Sequence, residues 1–118
     1  MNSLGIHHLI DFQGCSADRI NDTEFVRGAM LEAAARAGAT IVTDVFHTFS
    51  PQGVSGVVVI AESHIAIHTW PEFGAASIDI FSCTEKLSAV VATDILFSAF
   101  CAKEVQTQVL ARGRVLDR

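Results

Sequence analysis

Between Val54 and Ser82 the chain carries three β-type runs in a row, Val54–Ala61, Ile65–Trp70 and Ala75–Ser82, with only a few residues between one and the next. Ile65 and Ile67 alternate with Ala66 and His68, the two-residue period of a strand with one buried face. Around this block, Leu4 to Phe12 reads as a strand and Ala39 to Phe49 as another. Ser50-Pro51-Gln52-Gly53 and Pro71 to Gly74 read as turns, and Val105 to Leu110 as the strand that closes the sheet. Asp22 caps a helix that runs through Phe25, Met30 and Leu31 to Ala37 and is closed by Gly38. A second helix is expected from Thr84 through Leu87, Val90, Val91, Ile95 and Leu96. The expected fold is α+β, a two-layer sandwich with both helices on one face of a mainly antiparallel sheet. The other face is then left for a dimer mate or for the site.

No linker, repeat or low-complexity tract interrupts this pattern, so residues 1–118 read as a single domain. Half of the residues are hydrophobic, 50%, more apolar surface than a small monomer needs, which favours a self-associating chain. A net charge of −5 argues against nucleic acid and anionic membranes and suits a cationic substrate. Three cysteines without paired spacing point to a reducing compartment. Neither a leader pattern at Met1-Asn2-Ser3-Leu4-Gly5 nor a membrane-length apolar window is seen, so a cytoplasmic location is expected. Cys15 and Cys101 read as small buried hydrophobes, and His7, His8 and His47 as structural.

Reactive chemistry concentrates in Glu62-Ser63-His64-Ile65-Ala66-Ile67-His68-Thr69-Trp70-Pro71-Glu72. Ser63 has imidazoles one and five residues on, and Cys83 ends the following strand. A serine hydroxyl needs a base or a close, strained electrophile. The Gly-x-Ser-x-Gly turn of many serine hydrolases is missing, and what lies within reach of Ser63 is the carbonyl of Glu62. Attack there exchanges a peptide bond for an ester, so such a serine can cut its own chain. A zinc site on His64, His68 and Cys83 is the rival use, but there is no Cys-x2-Cys pair and no third convincing ligand. His64 is given no role.

Preceded by Gly53-Val54-Ser55-Gly56 and followed by Ile78-Asp79-Ile80-Phe81-Ser82-Cys83, this run closely resembles the short prokaryotic S-adenosylmethionine decarboxylases. The resemblance extends from Ser3-Leu4-Gly5 through Gly38-Ala39-Thr40-Ile41-Val42 and past Cys83. It implies a proenzyme in which Ser63 attacks the Glu62 carbonyl. The ester then eliminates to dehydroalanine, which hydrolyses to a pyruvoyl group. Residues 1–62 would become the beta chain and 63–118 the alpha chain, capped by the pyruvoyl. The resemblance makes His68 the base for processing, Ser55 its assistant and Cys83 the proton donor in decarboxylation. The pyruvoyl carbonyl would form a Schiff base with S-adenosylmethionine, with no metal and no pyridoxal phosphate. The product is an aminopropyl donor for spermidine synthesis, and the family forms dimers.

Residue chemistry agrees with these roles. Histidine, with an unperturbed pKa of about 6.5, suits removal of an α-proton near neutrality. A cysteine, with a pKa of about 8.5, stays protonated until a carbanion needs its proton. Phe49 is expected to stack on adenine or face the sulfonium cation, and Glu72 to accept hydrogen bonds from the ribose hydroxyls. The chain departs from the family at Ala75, where tyrosine is usual, at Thr84, where glycine is usual, and at Asp11, where glutamate is expected. Two alternatives therefore stand beside the main reading. One is a pyruvoyl decarboxylase of a smaller amino acid such as ornithine or arginine, the other an uncut, non-catalytic regulatory relative.

Overall fold

Strand β4 (Ser63–Trp70) buries Ile65, Ile67 and Thr69 and exposes His68 and Trp70, the two-residue period read from the sequence. Its neighbours follow the same rule in the computed structural model, which describes residues 3–116. Strands β1 (Gly5–Gln13), β2 (Ile41–Thr48), β3 (Val54–Ile60), β4, β5 (Ala75–Ser82) and β6 (Glu104–Arg112) form one sheet in the order β2-β3-β4-β5-β1-β6. All five pairings are antiparallel. Helices α1 (Ala17–Ile20), α2 (Thr23–Arg36) and α3 (Ala89–Ala99) complete the expected α+β sandwich.

One sheet face supplies Ile10, Phe12, Val54, Val58, Ile65, Ile67, Ile78 and Ile80 to the core, where Val26, Met30 and Ala33 of α2 and Ala92 and Leu96 of α3 join them. Each large side chain in this layer contributes about 1.5–3 kcal/mol by leaving water. Truncating Ile67, fully buried at the centre, to alanine would cost about 2–5 kcal/mol. Alanines at 29, 33 and 34 keep α2 thin on its buried side. Its start is set by Asp22, whose carboxylate accepts the Phe25 N–H at 3.1 Å. Its end is set by Gly38 at φ +98°, a left-handed position that a β-carbon disfavours.

The second long helix begins later than expected. Ser82 Oγ donates to the Thr84 carbonyl at 2.7 Å, and the Lys86 N–H donates to Thr84 Oγ1 at 3.1 Å. These side chains draw the backbone at 83–87 out of helical pairing, and Ser88 takes the cap position, accepting the Val91 N–H at 3.2 Å. Cys101 is also not buried. It follows α3 at φ +54°, in the left-handed position that ends a helix, and is exposed, while Cys15 is buried as expected. Burial, with Cys101 nearby, pushes the Cys15 thiol up to about 11. No helix among the described residues is long and apolar enough to cross a membrane.

The helix-free face of the sheet is open. It exposes Val45, Val59, Trp70 and Leu110 beside His47, His68, Asp11 and Gln106.

Candidate active site

The turn from β3 to β4 carries the Glu62–Ser63 bond. Glu62 is almost fully buried, at 5% exposure, and its Oε1 accepts the Thr40 N–H at 3.0 Å. That hydrogen bond, outweighing the opposing effect of burial, holds the carboxyl below the usual carboxylate range. Lys86 Nζ stands 4.0 Å from the other carboxylate oxygen. The Glu62 main-chain carbonyl is held by one residue twice, since Cys83 donates to it from its N–H at 3.1 Å and from its thiol at 3.2 Å. Two donors on one carbonyl oxygen polarise the bond and stand ready for negative charge there.

Ser63 itself has φ +151°. That conformation is nearly confined to glycine and costs about 1–3 kcal/mol in any other residue. Strain therefore falls on the residue that follows the polarised carbonyl. Glu62, Ser63 and Cys83 thus come together at one end of β4.

A second cluster occupies the other end. Ser55 and His68 are cross-strand partners, and Ser55 Oγ shares a hydrogen bond with His68 Nδ1 at 2.8 Å. They line a cavity of about 340 Å³ together with Phe49, Gln52, Gly53, Thr69, Trp70 and Glu72. Phe49 meets the His47 ring edge-on at 4.6 Å between centroids, and Trp70 tilts over His68 at 6.5 Å. Glu72 lies on the 3-10 turn Pro71–Phe73 that follows β4. This volume sits at the small end of ligand pockets, which run from about 300 Å³. A broader hollow of about 690 Å³ between Asp11, Ser77, Asp79, Gln106 and Gln108 lies farther across the open face and holds none of the motif's reactive groups.

The two clusters do not meet within one chain. Ser63 pairs with Ser82 and His68 with Ser77, five positions along the same strands. At about 3.3 Å per residue that is roughly 17 Å along β4, and an odd spacing puts the two side chains on opposite faces of a regular strand. The sequence had set Ser63 and His68 side by side only in the order of the chain. His64, given no role, stacks on Phe81 at 5.9 Å on the open face, next to His7. His7 Nε2 lies 3.3 Å from Asp79 Oδ1, and Arg112 donates to its Nδ1 at 3.1 Å. Among the described residues no group of three or more His, Cys, Asp or Glu side chains is arranged to hold a metal.

The second donor on the Glu62 carbonyl, the Cys83 N–H, and the Thr40 N–H under its carboxylate escaped the sequence reading. Backbone groups leave no mark in residue identity. Trp70 and Gln52 also line the cavity without having been singled out, although an exposed tryptophan beside a histidine is a signal of its own.

Comparisons with known proteins agree with the motif. The profile of the S-adenosylmethionine decarboxylase family matches residues 6–113. The "S-adenosylmethionine decarboxylase proenzyme" of Acidithiobacillus ferrooxidans is 50% identical over 115 residues, covering 98% of this chain and 86% of its own. That of Pelotomaculum thermopropionicum is 50% identical over 113 residues, covering 96% and 90%. The crystal structure of the adenosylmethionine decarboxylase from Aquifex aeolicus superimposes with a TM-score of 0.89 at 36% identity, covering 100% of this chain and 98% of the other. With the profile spanning nearly the whole sheet and relatives at 50% identity matching over 96–98% of its length, the chain belongs to the S-adenosylmethionine decarboxylase family.

Proposed function

We propose that this family member is made as a proenzyme, cuts itself between Glu62 and Ser63, and decarboxylates S-adenosylmethionine with the pyruvoyl group so formed. The observation that carries the reading is the Glu62 carbonyl, held by both donors of Cys83 beside a strained Ser63. When Ser63 Oγ adds to that carbonyl carbon, negative charge develops on the oxygen that the Cys83 N–H and thiol already contact. Collapse releases the Ser63 nitrogen, which takes a proton, and leaves an ester between Glu62 and Ser63 Oγ. The peptide strain at residue 63 is relieved in the same step. Loss of the Ser63 α-proton then expels the Glu62 carboxylate and leaves dehydroalanine, and water displaces ammonia from its imine form to give the pyruvoyl. The group supplies a carbonyl for the substrate amine and a sink for the electrons left by carbon dioxide.

The chain's own residues do the rest. Cys83, exposed beside residue 63, is placed to return a proton to the substrate carbon. The aromatic surfaces of Phe49 and Trp70 suit adenine and a sulfonium cation, and the Glu72 carboxylate suits ribose hydroxyls. His68, oriented by Ser55, is the base for the α-proton. Its distance from Ser63 in the same chain requires a second copy. A second copy docked so that its open face reaches the end of β4 would bring its Ser55–His68 pair to the Glu62–Ser63–Cys83 cluster, and the exposed Val45, Val59, Trp70 and Leu110 favour contact through that face.

A denaturing intact-mass spectrum of the purified protein tests the proposal. Two chains are expected, ending at Glu62 and beginning at residue 63, the second lighter than a serine-started peptide by the mass of ammonia. A single uncut chain under conditions where S-adenosylmethionine is turned over would refute it.

A further inference from the structure

The loop 49–53, which carries Phe49 and Gln52 over the cavity, has little packing of its own. Its closing contact is a Phe49 N–H donated to the Gly53 carbonyl at 2.8 Å. At its exit, two successive backbone N–H groups are each taken by a side chain. The Gly53 N–H donates to Asn21 Oδ1 at 2.9 Å, and the Val54 N–H donates to Thr69 Oγ1 at 2.9 Å. The Thr69 hydroxyl passes its own proton to the Ile20 carbonyl at 2.8 Å. Both holds therefore run to the same place, the C-terminal end of α1 at Ile20 and Asn21. Gly53 stands at φ +109°, and a β-carbon there would come within 3.3 Å of the Thr69 carbonyl. The loop's exit thus has no side chain to fix it and depends on groups outside itself.

We infer that Asn21, which does not line the cavity, is a positioning residue for the nucleoside end of the substrate, setting where Phe49 and Gln52 stand through its hydrogen bond to Gly53. This rests on the reading of that cavity as the place of S-adenosylmethionine. Helix α1 has only four residues, and the side chain of its C-cap is given to the loop rather than to the helix. That explains a short element which otherwise buries little beyond Ile20. Because Asn21 is exposed, its truncation leaves the core intact. Asn21 Oδ1 holds the Gly53 N–H and touches none of Glu62, Ser63 and Cys83, so loss of the hold should act on binding and not on the bond-making steps.

The test measures KM and kcat for S-adenosylmethionine with the processed wild-type enzyme, Asn21→Ala, Asn21→Asp and Phe49→Ala. Asn21→Ala is expected to raise KM roughly five- to tenfold, the fold-change of one lost hydrogen bond, with kcat within about twofold. Asn21→Asp keeps the acceptor and is expected to restore KM to near the wild-type value. An unchanged KM in Asn21→Ala, an Asp variant no better than Ala, or kcat falling in step with KM overturns the inference. If Phe49→Ala raises KM while Asn21→Ala does not, only the anchoring role fails. If neither raises KM, the cavity is not the substrate's and the inference falls with that reading.

Discussion

Strand β4 carries reactive groups at both ends, and the two ends are built in opposite ways. At the Ser63 end the backbone is strained, the neighbouring carboxylate is buried, and the carbonyl to be broken is held by two donors of a single residue. At the His68 end the backbone is regular, the imidazole is exposed, and one serine orients it. The bond proposed to break is primed by its main chain, whereas the proposed base sits on an ordinary strand. On the proposed reading, the difference puts most of the drive for cleavage in local geometry and leaves the base to be brought by assembly.

The sharpest way to break this comparison is Ser63→Ala, for which complete loss of chain cleavage is expected by intact mass; a cut Ser63→Ala protein would mean that Ser63 is not the nucleophile. Next comes co-expression of Ser63→Ala and His68→Ala subunits with different tags. If the base acts across the dimer, the His68→Ala chain, which keeps Ser63, should be cut in mixed dimers although it is uncut or slow alone. If it stays uncut in the mixture, the base serves its own chain and the geometry around β4 must rearrange. Cys83→Ala is expected to slow decarboxylation by about 10²–10⁴ through loss of a general acid. Processing should slow by only about tenfold, less than the usual loss of an oxyanion donor, because the N–H of residue 83 remains. Equal slowing of both steps in single-turnover assays would remove the proton-donor role.

The smallest effect concerns pH. Glu62 has its folded pKa depressed, so its contribution to stability is present above the ordinary carboxylate pKa and is lost as pH falls through the lower folded value. On an uncut Ser63→Ala background, the denaturation midpoints of Glu62 and Glu62→Gln proteins should therefore differ near neutrality and converge in acid. A constant difference across that range would show that the Thr40 hydrogen bond does not depend on the charge.

Much of this architecture was readable in advance, for identifiable reasons. Asp22 and Gly38 are unambiguous start and stop residues, and α2 lies between them as expected. Ala75–Ser82 alternates cleanly, and β5 has those bounds. The four-residue α1 is too short to show a period, and the start of α3 was misplaced because Ser82 and Thr84 bind the backbone locally. The residues proposed to react were legible as a motif, unlike the cavity-lining Gln52 and Trp70, yet their distribution over two ends of a strand was not. Spacing along a chain says nothing of distance until the rise per residue is known, and five positions are close on a helix but distant on a strand.

The order β2-β3-β4-β5-β1-β6 gives the proposed cut an unusual setting. Severing the chain after Glu62 assigns β1, β2 and β3 to one fragment and β4, β5 and β6 to the other, so that three of the five strand pairings, β3–β4, β5–β1 and β1–β6, join different molecules. β1 is flanked on both sides by strands of the other fragment and cannot leave without opening two ladders. An enzyme cut there would be woven rather than merely docked, and it should persist without a covalent link. Once melted, however, it must reassemble from two polypeptides. Refolding that is unimolecular for each uncut precursor chain would become, after the cut, an encounter of two fragments whose rate depends on concentration.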